Sequence, residues 1–440
     1  MRTVLAGTAA AAVAAFGAVA VLTSPAAAAP VGAQGTYTPL APTRILDTRT
    51  GNGAPKQIVG EKQTVHLKVA GRGGVPASGV SAVVLNLTIT GAVGNGYLTA
   101  YPDGAARPTA SSINFATGWT RSNLITVAIG ANGYLNIYQQ SLGTHIVADV
   151  AGYYNANAAA PIGSTYLSDA EQWRLEDTRT GGQPPMPGGS SIAYSVHFPD
   201  DPELSSHITA FALNITAVGA TANGYLAAWN GVGDRPANTS AVNYRVGGVW
   251  PNSAIVAAGP CDFCEVPDQK MFAVYTNSTT HWVIDVIGYY FDDTVDFGLK
   301  FTPMTPKRIM DTRTTSAIGP GGVRTVDAAG AATPETYALS VNVAATKPTE
   351  NTFLTVWPGG PRPSVSMLNP SKGQTVANGT IADVDENNQF QIWNYAGSTH
   401  VVVDVGGRFE YFPPATARLA PQTGPRVDLN GQRGAVQRRG

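Results

Sequence analysis

Apolar and polar residues alternate with a period of two over much of the chain. Within residues 83–90, Val83, Leu85, Leu87 and Ile89 fall on one side and Asn86, Thr88 and Thr90 on the other, the pattern of a strand with one face in a core. Residues 130–133, ending in Asn132-Gly133, separate two such stretches, and an Asn-Gly pair supplies the positive φ angles of a tight hairpin. A long 3.6-residue apolar period is missing after the first 28 residues. The pattern therefore predicts an all-β chain in antiparallel sheets. Residues 1–28 read differently: Arg2, an Ala/Val/Leu run over 4–22, Pro25 and then Ala26 to Ala29 have the form of a signal peptide with a small-residue cleavage site. The run is short and Ala-rich for a bilayer span, and no later stretch is long enough for one, so the mature chain is expected without a membrane span.

Two phrases recur three times in constant order. The opening phrase is Arg44-Ile-Leu-Asp47-Thr-Arg49, Arg174-Leu-Glu-Asp177-Thr-Arg179 and Arg308-Ile-Met-Asp311-Thr-Arg313; the closing one is centred on Asp149-Val-Ala-Gly152, Asp285-Val-Ile-Gly288 and Asp404-Val-Gly-Gly407. Between them stand Asn86, Asn114 and Asn123 with counterparts at Asn214, Asn243 and Asn252, then at Asn342, Asn369 and Asn378. Each repeat is long enough for a domain. The expected organisation is a signal peptide (1–28), three tandem antiparallel β-sandwich or jelly-roll-like modules (37–154, 164–291 and 299–412), and a disordered Arg-rich tail (413–440), with a linear or a pseudo-threefold arrangement both open. The repeated phrases resemble modules of secreted actinobacterial, Streptomyces-type proteins that open with Arg-x-x-Asp-Thr-Arg and close with Asp-Val-x-Gly-Tyr. That resemblance implies export, β structure and an accessory or surface role, with no established activity to carry over.

Composition narrows the classes. Twenty-eight basic against 29 acidic residues, a net charge of -1, give no electrostatic case for a nucleic-acid partner. A chain of 440 residues exceeds what one core serves, which agrees with several domains. Only two cysteines occur, Cys261 and Cys264, too few for a zinc site and close enough for a local disulfide in an oxidising exterior. The acidic stretches near Asp292 and Asp385 lack ligand spacing, so no metal and no cofactor is expected.

The candidate residues fall into two sets. Asp149, Asp285 and Asp404 sit in apolar strands and require a cation, which Arg44 or Arg49, Arg174 or Arg179, and Arg308 or Arg313 can supply as structural ion pairs. His145 and Asp149 are about 13 Å apart on one strand and cannot act together. The repeated Asn residues read as caps of local backbone at strand ends. The other set is aromatic: Tyr97 and Tyr101, Tyr225 and Trp229, and Phe353 and Trp357 hold alternate positions on equivalent strands, forming either a core face or a platform for sugar stacking. No catalytic residue is assigned, and the chain is expected not to be an enzyme. The expected role is a secreted or cell-surface protein binding an extracellular or cell-wall polysaccharide. The alternatives are a structural matrix or coat protein and, less favoured, a secreted hydrolase; oligomeric state is open.

Overall fold

The computed structural model describes residues 32–198, 201–265, 267–295, 297–412 and 435–439; the expected signal peptide and residues 413–434 of the tail lie outside them. The described chain is almost entirely β, in small antiparallel sheets, two to each repeat. In the first unit one sheet runs Tyr37–Asp47, Gly143–Asn155, Val80–Thr90, Thr120–Ala128, and the other Thr64–Lys68, Tyr134–Gln140, Gly96–Pro102, Ile113–Phe115. The second unit repeats this order with Thr165–Asp177, His281–Phe291, Ile208–Ala220 and Gly247–Ala257 against Ser191–His197, Lys270–Thr276, Gly224–Trp229 and Val242–Tyr244. The third does so with Lys300–Asp311, His400–Glu410, Thr336–Thr346 and Thr375–Asp383 against Val323–Asp327, Gln389–Asn394 and Leu354–Trp357.

Alternation explains how the two sheets of a unit close on each other. Val83, Leu85, Leu87 and Ile89 are fully buried in a core shared with Leu98, Ile113, Leu135 and Ile137 of the second sheet. The opposite face of the same strand is not solvated as its Asn and Thr residues imply. Asn86 and Thr88 are 7% and 5% exposed, and Ala82 and Val84 enter a separate core with Ala210, Ala212, Ile255, Ala338 and Ile381 of the other units. Strands that read as half-buried are thus buried on both sides, because the three units pack around a common axis through their first sheets.

At one end of that axis six rings close a circuit. Tyr37 lies against Tyr154 (5.1 Å) and Tyr290 (4.5 Å), Tyr166 against Tyr290 (5.3 Å) and Phe409 (4.8 Å), and Phe301 against Tyr154 (4.3 Å) and Phe409 (5.0 Å). The closing-phrase glycine makes this possible. A Cβ on Gly152 would stand 2.1 Å from the Tyr37 hydroxyl, and one on Gly407 would stand 2.2 Å from the Phe301 ring. Burial pushes the hydroxyls of Tyr37, Tyr154 and Tyr290 well up, so they remain protonated, and Tyr154 and Tyr290 share a hydrogen bond of 2.6 Å.

The end of the tail differs from the expected disorder. Ala435–Arg439 pairs antiparallel with Ser191–His197, an edge strand of seven residues without Asp, Glu, Lys or Arg. The equivalent edges Thr64–Lys68 and Val323–Asp327 carry such charges, which blunt further pairing; the uncharged edge is the one that the chain covers itself.

Candidate functional site

The repeated polar residues converge where units meet. Strand register places Arg44, Asp149 and Asn86 side by side on three neighbouring strands, and likewise Arg174, Asp285 and Asn214, and Arg308, Asp404 and Asn342. Arg44 Nε donates to Asp149 at 2.8 Å, and Arg174 to Asp285 and Arg308 to Asp404 at the same distance. Arg49, Arg179 and Arg313 do not reach these aspartates. Each instead donates through Nε and Nη2 to the Asp of its own opening phrase, Asp47, Asp177 or Asp311. Asp47 and Asp149 both engage Arg44.

The remaining capacity of each buried aspartate is used by the next unit. The backbone N–H of Ser111 donates to Asp404 at 3.1 Å, and those of Ser240 and Ser366 serve Asp149 and Asp285 in the same way. Asn86 donates to the Ser240 carbonyl, Asn214 to that of Ser366 (2.7 Å) and Asn342 to that of Ser111 (2.5 Å), so first binds second, second binds third and third binds first. This cyclic order is pseudo-threefold. Asn123, Asn252 and Asn378 complete it: each donates its amide to Asn342, Asn86 or Asn214 of a neighbouring unit, and each amide oxygen accepts a backbone N–H, from Gly379, Leu124 or Ser253. The reading of Asn86 as a local cap is corrected, since its bonds cross between units, and that of Asn123 holds in part: it donates to the Ser112 carbonyl of its own unit as well as to Asn342. Asn114 does bond locally, to the Ser111 hydroxyl.

Burial raises the carboxyl of Asp149 and pushes that of Asp285 up to about 6, against the pull of Arg44 and Arg174. By contrast, the hydrogen bonds from Arg49, Arg179 and Arg313 hold Asp47, Asp177 and Asp311 below the usual carboxylate range. The closing histidines are also structural: Nδ1 of His145 and of His281 meets the hydroxyl of Thr48 or Thr178, at 3.0 and 3.2 Å.

The aromatic candidates occupy neither the core nor a fully open platform. Tyr97 and Tyr101 lie on the face of their strand opposite to Leu98 and Ala100, which are in the core. That outer face is covered by the loop bearing the repeated Arg-Pro pair. Arg107 stands 3.8 Å above the ring of Tyr138, Arg235 4.4 Å above Tyr275 and Arg362 3.7 Å above Trp393. Tyr101, Trp229 and Trp357 are accordingly buried, whereas Tyr97, Tyr225 and Phe353 are half-buried.

Only the third unit extends this face. At the position of Gln140 and Asn277 it has Tyr395, 56% exposed and stacked on Phe353 at 4.8 Å, with Trp393 edge-on to both. Tyr395 was not singled out in the sequence because it has no aromatic counterpart in the other two repeats, whereas Arg362 over Trp393 repeats the contact of Arg107 with Tyr138 and of Arg235 with Tyr275. Cys261 and Cys264 form a disulfide in a loop of the second unit, and no group of metal-ligating side chains occurs among the described residues.

No family model and no curated protein matches this chain. Among solved structures it aligns with one described as "The Triple Jelly Roll Fold and Turret Assembly in an Archaeal Virus", at 7% identity over 86% of this chain and 90% of that one, with a TM-score of 0.17. A second, from Sulfolobus turreted icosahedral virus, aligns at 7% identity over 81% and 84%, with a TM-score of 0.15. Alignments at that level carry no argument about this chain.

Proposed function

We propose that the chain is an exported, non-catalytic scaffold of three jelly-roll-like sandwich modules that binds an extracellular or cell-wall polysaccharide. The observation that carries this reading is Tyr395, an exposed ring backed by the half-buried rings of Phe353 and Trp393, an apolar surface suited to stacking on a pyranose, with the Arg362 guanidinium over Trp393 supplying donors at its side. The economy of the axis supports it: the triplicated polar groups hold units together, and what is left for recognition lies outside. The test is co-sedimentation of the mature chain with peptidoglycan and with insoluble neutral polysaccharides. Binding that falls several-fold in Tyr395→Ala supports the reading, and absence of binding to every polymer removes it.

A matrix or coat role is the second reading, favoured by the uncharged edge strand that the tail covers. It predicts that a chain ending at residue 434 self-associates in sedimentation velocity while the full chain does not.

A further inference from the structure

The three units are not equivalent at the ring end of the axis. In the second, the corner before Ile208–Ala220 is filled by the short helix Pro202–Ser206, with His207 bonded to Asp292 of the following linker at 3.0 Å. In the third, Tyr337 and Tyr411 meet edge to face across it. In the first, the corner stays open. Between the start of Tyr37–Asp47, residues 76–79, the end of Gly143–Asn155 and the linker that follows runs a groove of about 530 Å³, within the usual range of ~300 to 1,000 Å³ for ligand sites.

Its lining contains no charged side chain. Pro39, Pro76, Pro161 and Ile162 (53% exposed) supply apolar walls, and Tyr153 a half-buried ring. Thr38 and Ser78 add hydroxyls, and Asn157, whose Oδ1 accepts from Ala159 N, points no Nδ2 bond at any described residue. Uncharged donors and acceptors interleaved with one ring and flat apolar walls match a sugar chain. A phosphate or carboxylate ligand would find no cation here, and a purely apolar ligand would strand the hydroxyls and amides.

We infer that this groove, at the seam of the first and second units, is a binding site for a neutral oligosaccharide. It rests on the polysaccharide reading above and is separate from the third-unit rings. A filled corner in two units and an open one in the first leave one groove of this kind among the described residues.

The experiment is calorimetric titration of the mature chain with uncharged β-1,4-linked hexasaccharides, in the natural sequence and in Ile162→Arg, Asn157→Ala and Tyr395→Ala. Ile162 and Asn157 lie on exposed linker, so their replacement spares the cores. The expected result is at least a tenfold loss of affinity in Ile162→Arg and a smaller loss in Asn157→Ala, with Tyr395→Ala unchanged. Hexasaccharide binding that survives both linker changes and disappears in Tyr395→Ala overturns the groove and leaves the polysaccharide reading standing on the third unit. Binding of insoluble polymer without any hexasaccharide binding also overturns the groove. Failure to bind polymer or hexasaccharide removes both proposals, and saturable binding of an uncharged proline-rich peptide alone reassigns the groove to peptides.

Discussion

The side of each unit that faces the axis and the side that faces away obey different constraints. On the axial side the same residues recur three times, and every recurrence has a bond to make: Arg to Asp, Asp to the next backbone, Asn to the next Asn. On the outer side the Arg-over-ring contact recurs, but its surroundings drift, with Gln140, Asn277 and Tyr395 at one position; the corners at the ring end of the axis drift likewise, as an open groove, a helix or a Tyr pair. The difference teaches that triplication here marks assembly. Recognition is to be sought where the repeats disagree.

The sharpest way to break this contrast is to remove one partner of an axial ion pair. Asp285 is 3% exposed and Arg174 33%, so the two deletions are not symmetric. Arg174→Ala leaves a buried carboxylate with no cation and should cost about 3 to 5 kcal/mol, whereas Asp285→Ala leaves an arginine that can turn to water and should cost less. Denaturant unfolding of both variants checks the order. Arg235→Ala, on the outer face over Tyr275, should cost only about 0.5 to 1 kcal/mol. Equal losses at Arg174 and Arg235 would erase the distinction between the two sides.

The same pair predicts a pH dependence. In the folded chain Asp285 takes up its proton near pH 6, above the usual carboxylate value it has when unfolded, so its contribution to stability is fully present below that unfolded value and is lost as pH rises through about 6. Asp47, Asp177 and Asp311 are held low and work the other way, their contributions being lost as pH falls. Comparison with Asp285→Asn isolates the first effect. From pH 7 to pH 4 the stability difference should move in favour of the natural chain. Movement against it would mean that the Arg174 guanidinium outweighs burial.

Next in size is the amide circuit. Asn252→Ala removes a donor to Asn86 and the Ala241 carbonyl and the acceptor for Leu124 N, all at a buried site, and should cost about 1 to 3 kcal/mol. Asn114→Ala, which loses only the local Ser111 contact, serves as the control and should lower the melting midpoint far less.

Much of the axial half was legible in the sequence, and for a physical reason. A carboxylate among valines needs a cation, and three copies in constant order with three arginine phrases leave few partners. Strand alternation gave the sheets, and Asn132-Gly133 gave a hairpin. What could not be read was where the second face of each strand goes: Asn86 and Thr88 look solvent-facing until another unit covers them, and a period of two says which residues share a face without saying what that face meets. Tyr37 and Tyr154 posed the same problem, since besides each other they meet Tyr290 and Phe301, which belong to the other repeats. The outer sites were illegible for the opposite reason. Tyr395, Asn157 and Ile162 belong to one repeat each, so a search for recurrence passes over them.

A further small effect tests the outer side alone. The Cys261–Cys264 disulfide closes a loop with a sequence separation of 3, for which the chain-entropy account allows about 2 kcal/mol at most. Gly259–Pro260 of this loop pairs with Lys270–Thr276, and Cys261 N donates to Gln269 O. Local opening of such a segment need not pass through global unfolding. Replacing both cysteines by serine should therefore speed hydrogen exchange within residues 259–270 and shift the melting midpoint by only a few degrees. A loss comparable to that of Arg174→Ala would show that this insertion, present in one unit only, supports the axial core, and the separation between a repeated side that holds and a divergent side that is free to vary would fail at that point.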